Sequence, residues 1–417
     1  MTESEKGKIL ILKLNDRIFS ILINNNRILS IYAQNTSPIN TNDSLRNQLK
    51  NDNLSVLGSI YVGKVQNIST NIGAAFVEIQ KGEVTFLPLA QAKDAILTNR
   101  PSNGTIKPGD ELLVQLVKEP VKTKLAGVST TLSLAGSYVV IEYKRSRTAG
   151  KIKISSKLGS KYDHTYKNLD ELKKIAERFD IIIRTNAEAA GDVSEITAEA
   201  QNLAAQMEHL LEIGDKRTCY SCLYQCEPEY ITFVKNNYRY EYDEIVTDEK
   251  EIYDSFLANS NPVLRDCKIR FYEDKMLPLY KLYSVESRIH ELLDKKVWLK
   301  SGAYLVIEPT EALIAIDVNT GKYESRKNPE ETYFKINLEA AEEIALQLRA
   351  RNLAGMILVD FINMSDKVHV EQLTKRMKEL LKKDVVPACV VDITELGLME
   401  ITRKKKGKSF MEQYTHK

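Results

Sequence analysis

The chain has 417 residues, 43% of them hydrophobic and 28% charged, with a formal net charge of +2. That length supports more than one domain and a sizeable core, and the near-neutral balance excludes a globally basic nucleic-acid binder, so any basic surface is local. No apolar run reaches the length of a membrane-spanning helix, and Met1–Gly7 lacks the apolar stretch of a signal peptide; no membrane is expected among the partners, and the cytoplasm is the expected location. Five cysteines, an odd number in a large chain, do not read as a disulfide framework.

In chain order, "KILILKLNDRIFSILINNNRILSIYAQ" alternates apolar and polar residues and predicts two or three antiparallel strands with "NNN" as a turn. Asn35 to Ser55, rich in Asn, Ser and Asp, reads as a loop or linker. "SIYVGKVQNI", "GAAFVEIQ", "VTFLPLAQ" and "ELLVQLVKE" are short strands separated by Gly, Asn and "KPGD" turns, which predicts a small barrel. A further β-rich segment, "GSYVVIEYKRSRTAGKIKISSKL", precedes a helix at "NLDELKKIAERF", a strand at "DIIIRT" and a helix at "SEITAEAQNLAAQMEHLLEIG". "YITFVKNN" and "EIVTDEKEIYDSFLA" mix strand and helix. "YLVIEPTEALIAIDVNTG" reads as strand, turn, strand. The long amphipathic helix "PEETYFKINLEAAEEIALQLRARN" follows, with Pro near its start and acids in its first turn. "LAGMILVDFINM" is a strand, "DKVHVEQLTKRMKELLKK" a helix, and "PACVVDITELGLMEITRK" strand and turn. Strand, helix, strand with one crossover predicts a parallel pair, and the chain as a whole an α/β multidomain fold.

Asp317 and Asp360 each end an apolar strand of that pair. Parallel neighbours point their carboxyl ends the same way, and that is the end at which open α/β sheets bind ligands. The two aspartates should meet at one rim, with Asn319 on the same strand face as Asp317. Two carboxylates there repel each other and are costly to desolvate unless a hard cation sits between them. Mg2+ takes one or two carboxylates and keeps several waters, especially where the substrate brings phosphate. Strand-end aspartates also serve as helix caps and turn formers, and the spacing alone leaves both readings standing.

"TEALIAIDVNTGK", "NLEAAEEIALQLRARNLAGMILVDFINM" and "GLMEITRKK" closely resemble the ribonuclease E/G family of bacterial endoribonucleases. So do "SIYVGKV", "AAFVEI", "FLPL", "SLAGSY" and "IIIRT", in family order from about Lys8 to about Ser409. The resemblance implies an RNase H-like subdomain made of 1–54 and 218–295, into which an S1-like OB-fold β-barrel (55–134) and a 5′-phosphate sensor region (135–217) are inserted. A DNase I-like catalytic subdomain (296–417) would follow. It further implies a Mg2+-dependent endoribonuclease that hydrolyses phosphodiester bonds of single-stranded RNA in rRNA and mRNA processing and decay. Products would carry 5′-phosphate and 3′-hydroxyl, and a 5′-monophosphate on the substrate would stimulate cleavage. Asp317 and Asp360 match the metal-binding aspartates, and Asn319 the asparagine that holds a water on the metal. Phe76 and Phe86 match exposed aromatics that meet single-stranded RNA, and Lys118 a basic neighbour; read from the residues alone, both Phe sit in apolar strand contexts that favour core packing. Lys122 and Lys124 would add phosphate contacts. Arg184 and Thr185, which alone read as ordinary strand-end residues, match the pocket for a 5′-terminal monophosphate: Arg supplies a bidentate fork and Thr a hydroxyl donor. "TRKKKGK" at Thr402–Lys408 is a solvated tail or a hold on RNA backbone.

Three departures stand out. The family's CPxC zinc link and small dimerisation domain do not follow before Lys417, so the homodimer that the resemblance implies is expected without that link. Asn363 stands where many members have Asp, and Pro387 where a basic residue is expected. "CYSCLYQC" places Cys219, Cys222 and Cys226 at a spacing that suits zinc or an iron–sulfur cluster. Only Cys267 offers itself as a fourth ligand, so the cysteines are expected to replace small apolar residues of a strand. Two other functional classes compete. One is a non-catalytic S1-domain RNA-binding protein, against which intact Asp317, Asn319 and Asp360 stand. The other is a metal or redox protein built on the cysteines.

Overall fold

The computed structural model describes residues 6–35, 57–120, 124–159, 165–166, 169–214, 216–259, 264, 267–321 and 329–415. Most of the expected linker (36–56) and Lys122 lie outside them. The chain divides into two compact units, the first formed by 1–36, 236–260 and 266–417 and the second by 37–235 with 261–265.

The first unit opens with β1 (Gly7–Leu14), β2 (Arg17–Asn24) and β3 (Arg27–Asn35), an antiparallel meander. Asn15, Asp16, Asn25 and Asn26 all take φ between 45° and 60°. Two such residues in a row make the tight turn whose twist matches that of the paired strands, and Asn and Asp tolerate it best after Gly. The triple asparagine is therefore a turn, as its composition predicts.

The second unit contains β4 (Ile60–Ser69), β5 (Ala74–Gln80), β6 (Glu83–Pro88), β7 (Glu111–Lys118) and β8 (Gly127–Ser129). They pair in the order β4-β5-β6-β8-β7, and β7 returns to β4, closing a five-strand barrel. Val65, Ala75, Val77, Leu87, Leu112, Val114 and Val128 fill it. A four-stranded sheet follows: β9 (Leu132–Ala135), β10 (Val139–Tyr143), β11 (Ile152–Ile154) and β12 (Asp180–Ile183), in the order β11-β12-β10-β9. Helices α1 (Asp170–Ala176) and α2 (Val193–Gly214) pack on it. β13 (Cys222–Tyr224) then pairs with β4. "YITFVKNN" resolves as part of a helix, α3 (Glu229–Asn236).

Back in the first unit, β14 (Tyr242–Thr247), α4 (Lys250–Ala258) and β15 (Lys268–Phe271) extend the meander into a sheet ordered β15-β14-β1-β2-β3. After α5 (Leu279–Leu282) and α6 (Val285–Leu293) comes a six-stranded sheet. Its members are β16 (Lys296–Trp298), β17 (Tyr304–Pro309), β18 (Ile314–Asn319), β19 (Gly355–Asp360), β20 (Ala388–Ile393) and β21 (Met399–Arg403), ordered β16-β17-β18-β19-β21-β20. β18 and β19 run parallel, and α7 (Pro329–Ala350) makes the crossover between them. α8 (Lys367–Lys382) lies beside α7, and α9 (Phe410–Thr415) returns to β3. Ile336, Ala340, Ile344 and Leu348 of α7, with Leu373 and Met377 of α8, bury Leu305, Ile316, Val318, Ile357 and Val359 on one sheet face. The residues that alternate with these face away from the helices.

α7 also holds the loops at the carboxyl rim of the sheet. Glu339 Oε1 accepts the backbone N–H of Lys300 at 2.7 Å. The fully buried Asn337 clamps Ile362, accepting its N–H at 3.0 Å and donating to its carbonyl at 2.8 Å. Glu330 accepts the N–H groups of Ser365 and Asp366, each at 3.1 Å. Past Asn319, Gly321 has φ +63° and its missing Cβ would lie 2.4 Å from the Gly302 carbonyl oxygen in the β16–β17 turn. At the far end of the sheet, buried Arg403 pairs with buried Asp384 at 2.7 Å and donates to the Asn352 side chain and the Leu353 carbonyl.

Arg403→Ala leaves Asp384 charged and unpaired in the core; a loss of about 3–5 kcal/mol in chemical denaturation is expected. Gly321→Ala meets both a left-handed backbone and the Gly302 carbonyl; a loss of about 1–3 kcal/mol is expected in the same measurement, with little change for Gly82→Ala's surroundings beyond its own backbone strain, since nothing lies within 4 Å of that position.

Candidate active site

The parallel register sets Asp317 directly opposite Asp360. On β18 the buried residues are Ile314, Ile316 and Val318, so Ala315, Asp317 and Asn319 take the other face. On β19 the buried residues are Ile357 and Val359, which leaves Met356, Leu358 and Asp360 on that same face. Both aspartates are solvent-exposed. Asn319 Nδ2 donates to Asp317 Oδ2 at 2.7 Å, which holds that carboxylate in one orientation. Among the described residues no Lys, Arg or His forms an ion pair with either aspartate. Two adjacent carboxylates without a counter-charge fit a hard divalent cation that completes its shell with water, and Mg2+ is such an ion. Among the described residues no group of three or more His, Cys, Asp or Glu side chains converges, at this rim or anywhere else, so the two carboxylates and the Asn319 amide are the protein groups available to an ion here.

The same open face carries side chains that the sequence reading did not single out. Trp298 is in register with Tyr304, and Tyr304 with Asn319; Lys296 is in register with Val306, and Val306 with Asp317. A period-2 pattern in "KVW" opposite "YLVIE" carries that signal, but three residues are too few to be recognised as a strand on their own. Asn363 is exposed, and so is Pro387, whose carbonyl accepts the Lys404 N–H at 2.9 Å.

In the second unit, Phe76 and Phe86 are direct cross-strand partners and both are only half-buried. Phe86 is in register with Gly127 and Gly127 with the exposed Lys118. The Lys118 stem crosses over Gly127, where a Cβ would lie 3.2 Å from Lys118 Cβ. Two aromatic rings and an ammonium group thus form one row across four strands of the barrel. Core packing, which the residues alone favour, is not where these rings lie: the barrel interior holds Ala75, Val77 and Leu87, which alternate with them. Lys124 is exposed.

Arg184 and Thr185 follow β12, and both are half-buried. The Arg184 guanidinium donates to the carbonyls of Gly136 and Lys235, and the Arg184 backbone N–H donates to the Tyr138 carbonyl at 2.7 Å. Thr185 Oγ1 lies 2.9 Å from Ser155 Oγ. Glu199 of α2 accepts the successive N–H groups of Ser137, Tyr138 and Val139 at 2.7, 2.7 and 2.9 Å, which fixes the turn that Arg184 grips from its other side. A lone Glu on a helix gives no sequence sign of this.

Cys219 and Cys226 are half-buried and Cys222 is exposed. Burial pushes the thiols of Cys219 and Cys226 up, and that of Cys267 to about 11, which disfavours the thiolate that a metal needs.

Comparison with known proteins identifies the family. The ribonuclease E/G family model matches residues 133–406. Ribonuclease G of Escherichia coli K12 is 30% identical over 371 residues, which cover 85% of this chain and 74% of that protein. Ribonuclease G of Haemophilus influenzae is 32% identical over 376 residues, covering 85% and 73%. A putative ribonuclease E of Buchnera aphidicola subsp. Baizongia pistaciae is 31% identical over 401 residues, covering 94% and 95%. The chain belongs to the ribonuclease E/G family and is a hydrolase of the endoribonuclease class.

Proposed function

We propose that this endoribonuclease is Mg2+-dependent and hydrolyses phosphodiester bonds of single-stranded RNA in rRNA and mRNA processing and decay, leaving 5′-phosphate and 3′-hydroxyl ends. The observation that carries the reading is the in-register pair Asp317 and Asp360, exposed on the open face with Asn319 bonded to one of them. The two carboxylates hold the ion, and Asn319 keeps Asp317 from rotating away. Mg2+ held there would supply charge neutralisation at the phosphate and a more acidic water for in-line attack. The bond broken is that between phosphorus and the 3′ oxygen, which leaves protonated as a hydroxyl.

The barrel row of Phe76, Phe86 and Lys118 is the RNA-binding surface in this reading. Bases stack on the two rings, at about 1–3 kcal/mol per base, while the ammonium meets the backbone. Arg184 and Thr185 bind the 5′-monophosphate. The division follows the sequence: an RNase H-like part at 1–54 and 218–295, the S1-like OB-fold barrel at 55–134, the sensor at 135–217 and a DNase I-like catalytic part at 296–417. The protein acts in the cytoplasm, and a homodimer is the assembly to look for.

The test is cleavage of one end-labelled, unstructured RNA carrying 5′-monophosphate, 5′-triphosphate or 5′-hydroxyl, with Mg2+ and with EDTA. Internal cuts that need Mg2+ and run faster on the monophosphate are expected. Asp317→Asn should cut the rate by about 100-fold or more while far-UV circular dichroism and RNA affinity stay close to wild type. Wild-type cleavage by that variant would sink the metal assignment. Thr185→Val, which keeps shape and removes the hydroxyl, should narrow the rate ratio between monophosphate and hydroxyl substrates; an unaltered ratio would remove Thr185 from the sensor.

A further inference from the structure

On the open face of the six-stranded sheet, an aromatic pair stands beside the carboxylates. Val297, Leu305 and Val318 point into the helix-covered core, so Trp298, Tyr304 and Asn319 share the opposite face in one cross-strand row. The Trp298 and Tyr304 rings meet edge to face, with centroids 5.3 Å apart and planes at 60°. Lys296, two residues before Trp298 on the same face, holds its ammonium 4.0 Å from the Trp298 ring centroid and 3.6 Å from that of Tyr304. Trp298 nevertheless leaves 63% of its surface in solvent. An exposed aliphatic side chain needs no explanation. A large ring that is exposed and also oriented by an edge-on neighbour and a cation is a surface prepared for something flat.

We propose that Trp298, Tyr304 and Lys296 form a nucleobase subsite, which stacks an unpaired RNA base close to the bond cut at Asp317 and Asp360. The inference rests on the nuclease reading above. Two strand spacings separate Trp298 from Asn319, about 10 Å, so a chain whose phosphate sits at the carboxylates passes this platform. Every base has a face that stacks on indole, and Lys296 adds positive charge beside a backbone whose charge is negative. The site therefore takes bases of any identity and favours those free of a duplex.

The chain has a single tryptophan, so its fluorescence reports this one position. The full-length Asp317→Asn protein, which leaves RNA intact, is titrated with a single-stranded oligoribonucleotide in Mg2+, and binding is followed in parallel by anisotropy of a labelled copy. Saturable quenching of tryptophan emission that tracks the anisotropy is expected. In the chain with Asp317 retained, Trp298→Ala should raise KM about tenfold with kcat within about threefold, and Trp298→Phe should recover most of the loss. Binding without any change in emission, or a wild-type KM in Trp298→Ala, overturns the subsite. Emission that follows protein concentration and ignores RNA also overturns it, and assigns the patch to a second copy of the chain. Should the wild-type protein neither bind nor cut RNA, the nuclease reading falls and the subsite with it; should it cut while Trp298 stays silent, the subsite alone falls.

Discussion

Two parallel strands cannot be joined by a tight turn. Pairing β18 with β19 therefore forces a crossover, and the 22 residues of α7 make it. The rest of the six-stranded sheet and its rim follow from that constraint. Because the strands run the same way, their last residues lie at the same rim, and Asp317 meets Asp360. A slip of one residue would turn Asp360 into the apolar layer of Ile316, Val318, Ile357 and Val359, where an unpaired carboxylate is costly. The apolar alternation thus sets where the carboxylates stand. The crossover helix then stabilises the rim it had to pass: Glu339 takes up a backbone group of the β16–β17 turn, and Asn337 and Glu330 take up backbone groups of the loop after β19.

The barrel builds its aromatic row by a similar route. Phe76, Phe86, Gly127 and Lys118 come from four strands and meet because antiparallel and parallel registers place them in one row. Gly127 matters for what it lacks, since any side chain there would push the Lys118 stem away from the rings. In both sheets a row of surface side chains is assembled from single residues contributed by successive strands, so its geometry is a property of register more than of any one segment.

This explains what could be read from the chain. The turns at Asn15–Asp16 and Asn25–Asn26 were legible because their chemistry is local. So were α7 and α8, whose apolar stripes repeat at helical spacing, and the parallel pair, because one helix between two strands permits little else. The aspartates were legible as strand-end carboxylates, although only the register makes them a pair. What could not be read depends on contacts between distant residues. The grip of Glu199 on three successive N–H groups and the bonds from Arg184 to Gly136 and Lys235 leave no trace in spacing. β16 is three residues long, too short for periodicity, and its partner across the turn is what reveals Trp298.

The six-stranded sheet ends in strands that offer little to a further strand. On one side β16 has three residues; on the other, β20 carries a bulge between Val390 and Asp392 that interrupts its hydrogen-bonding rim. Short or kinked margins of this kind prevent a sheet from being continued by another molecule. A sheet that carries large exposed aromatic rings on one face is thereby protected at its edges from templating its own aggregation.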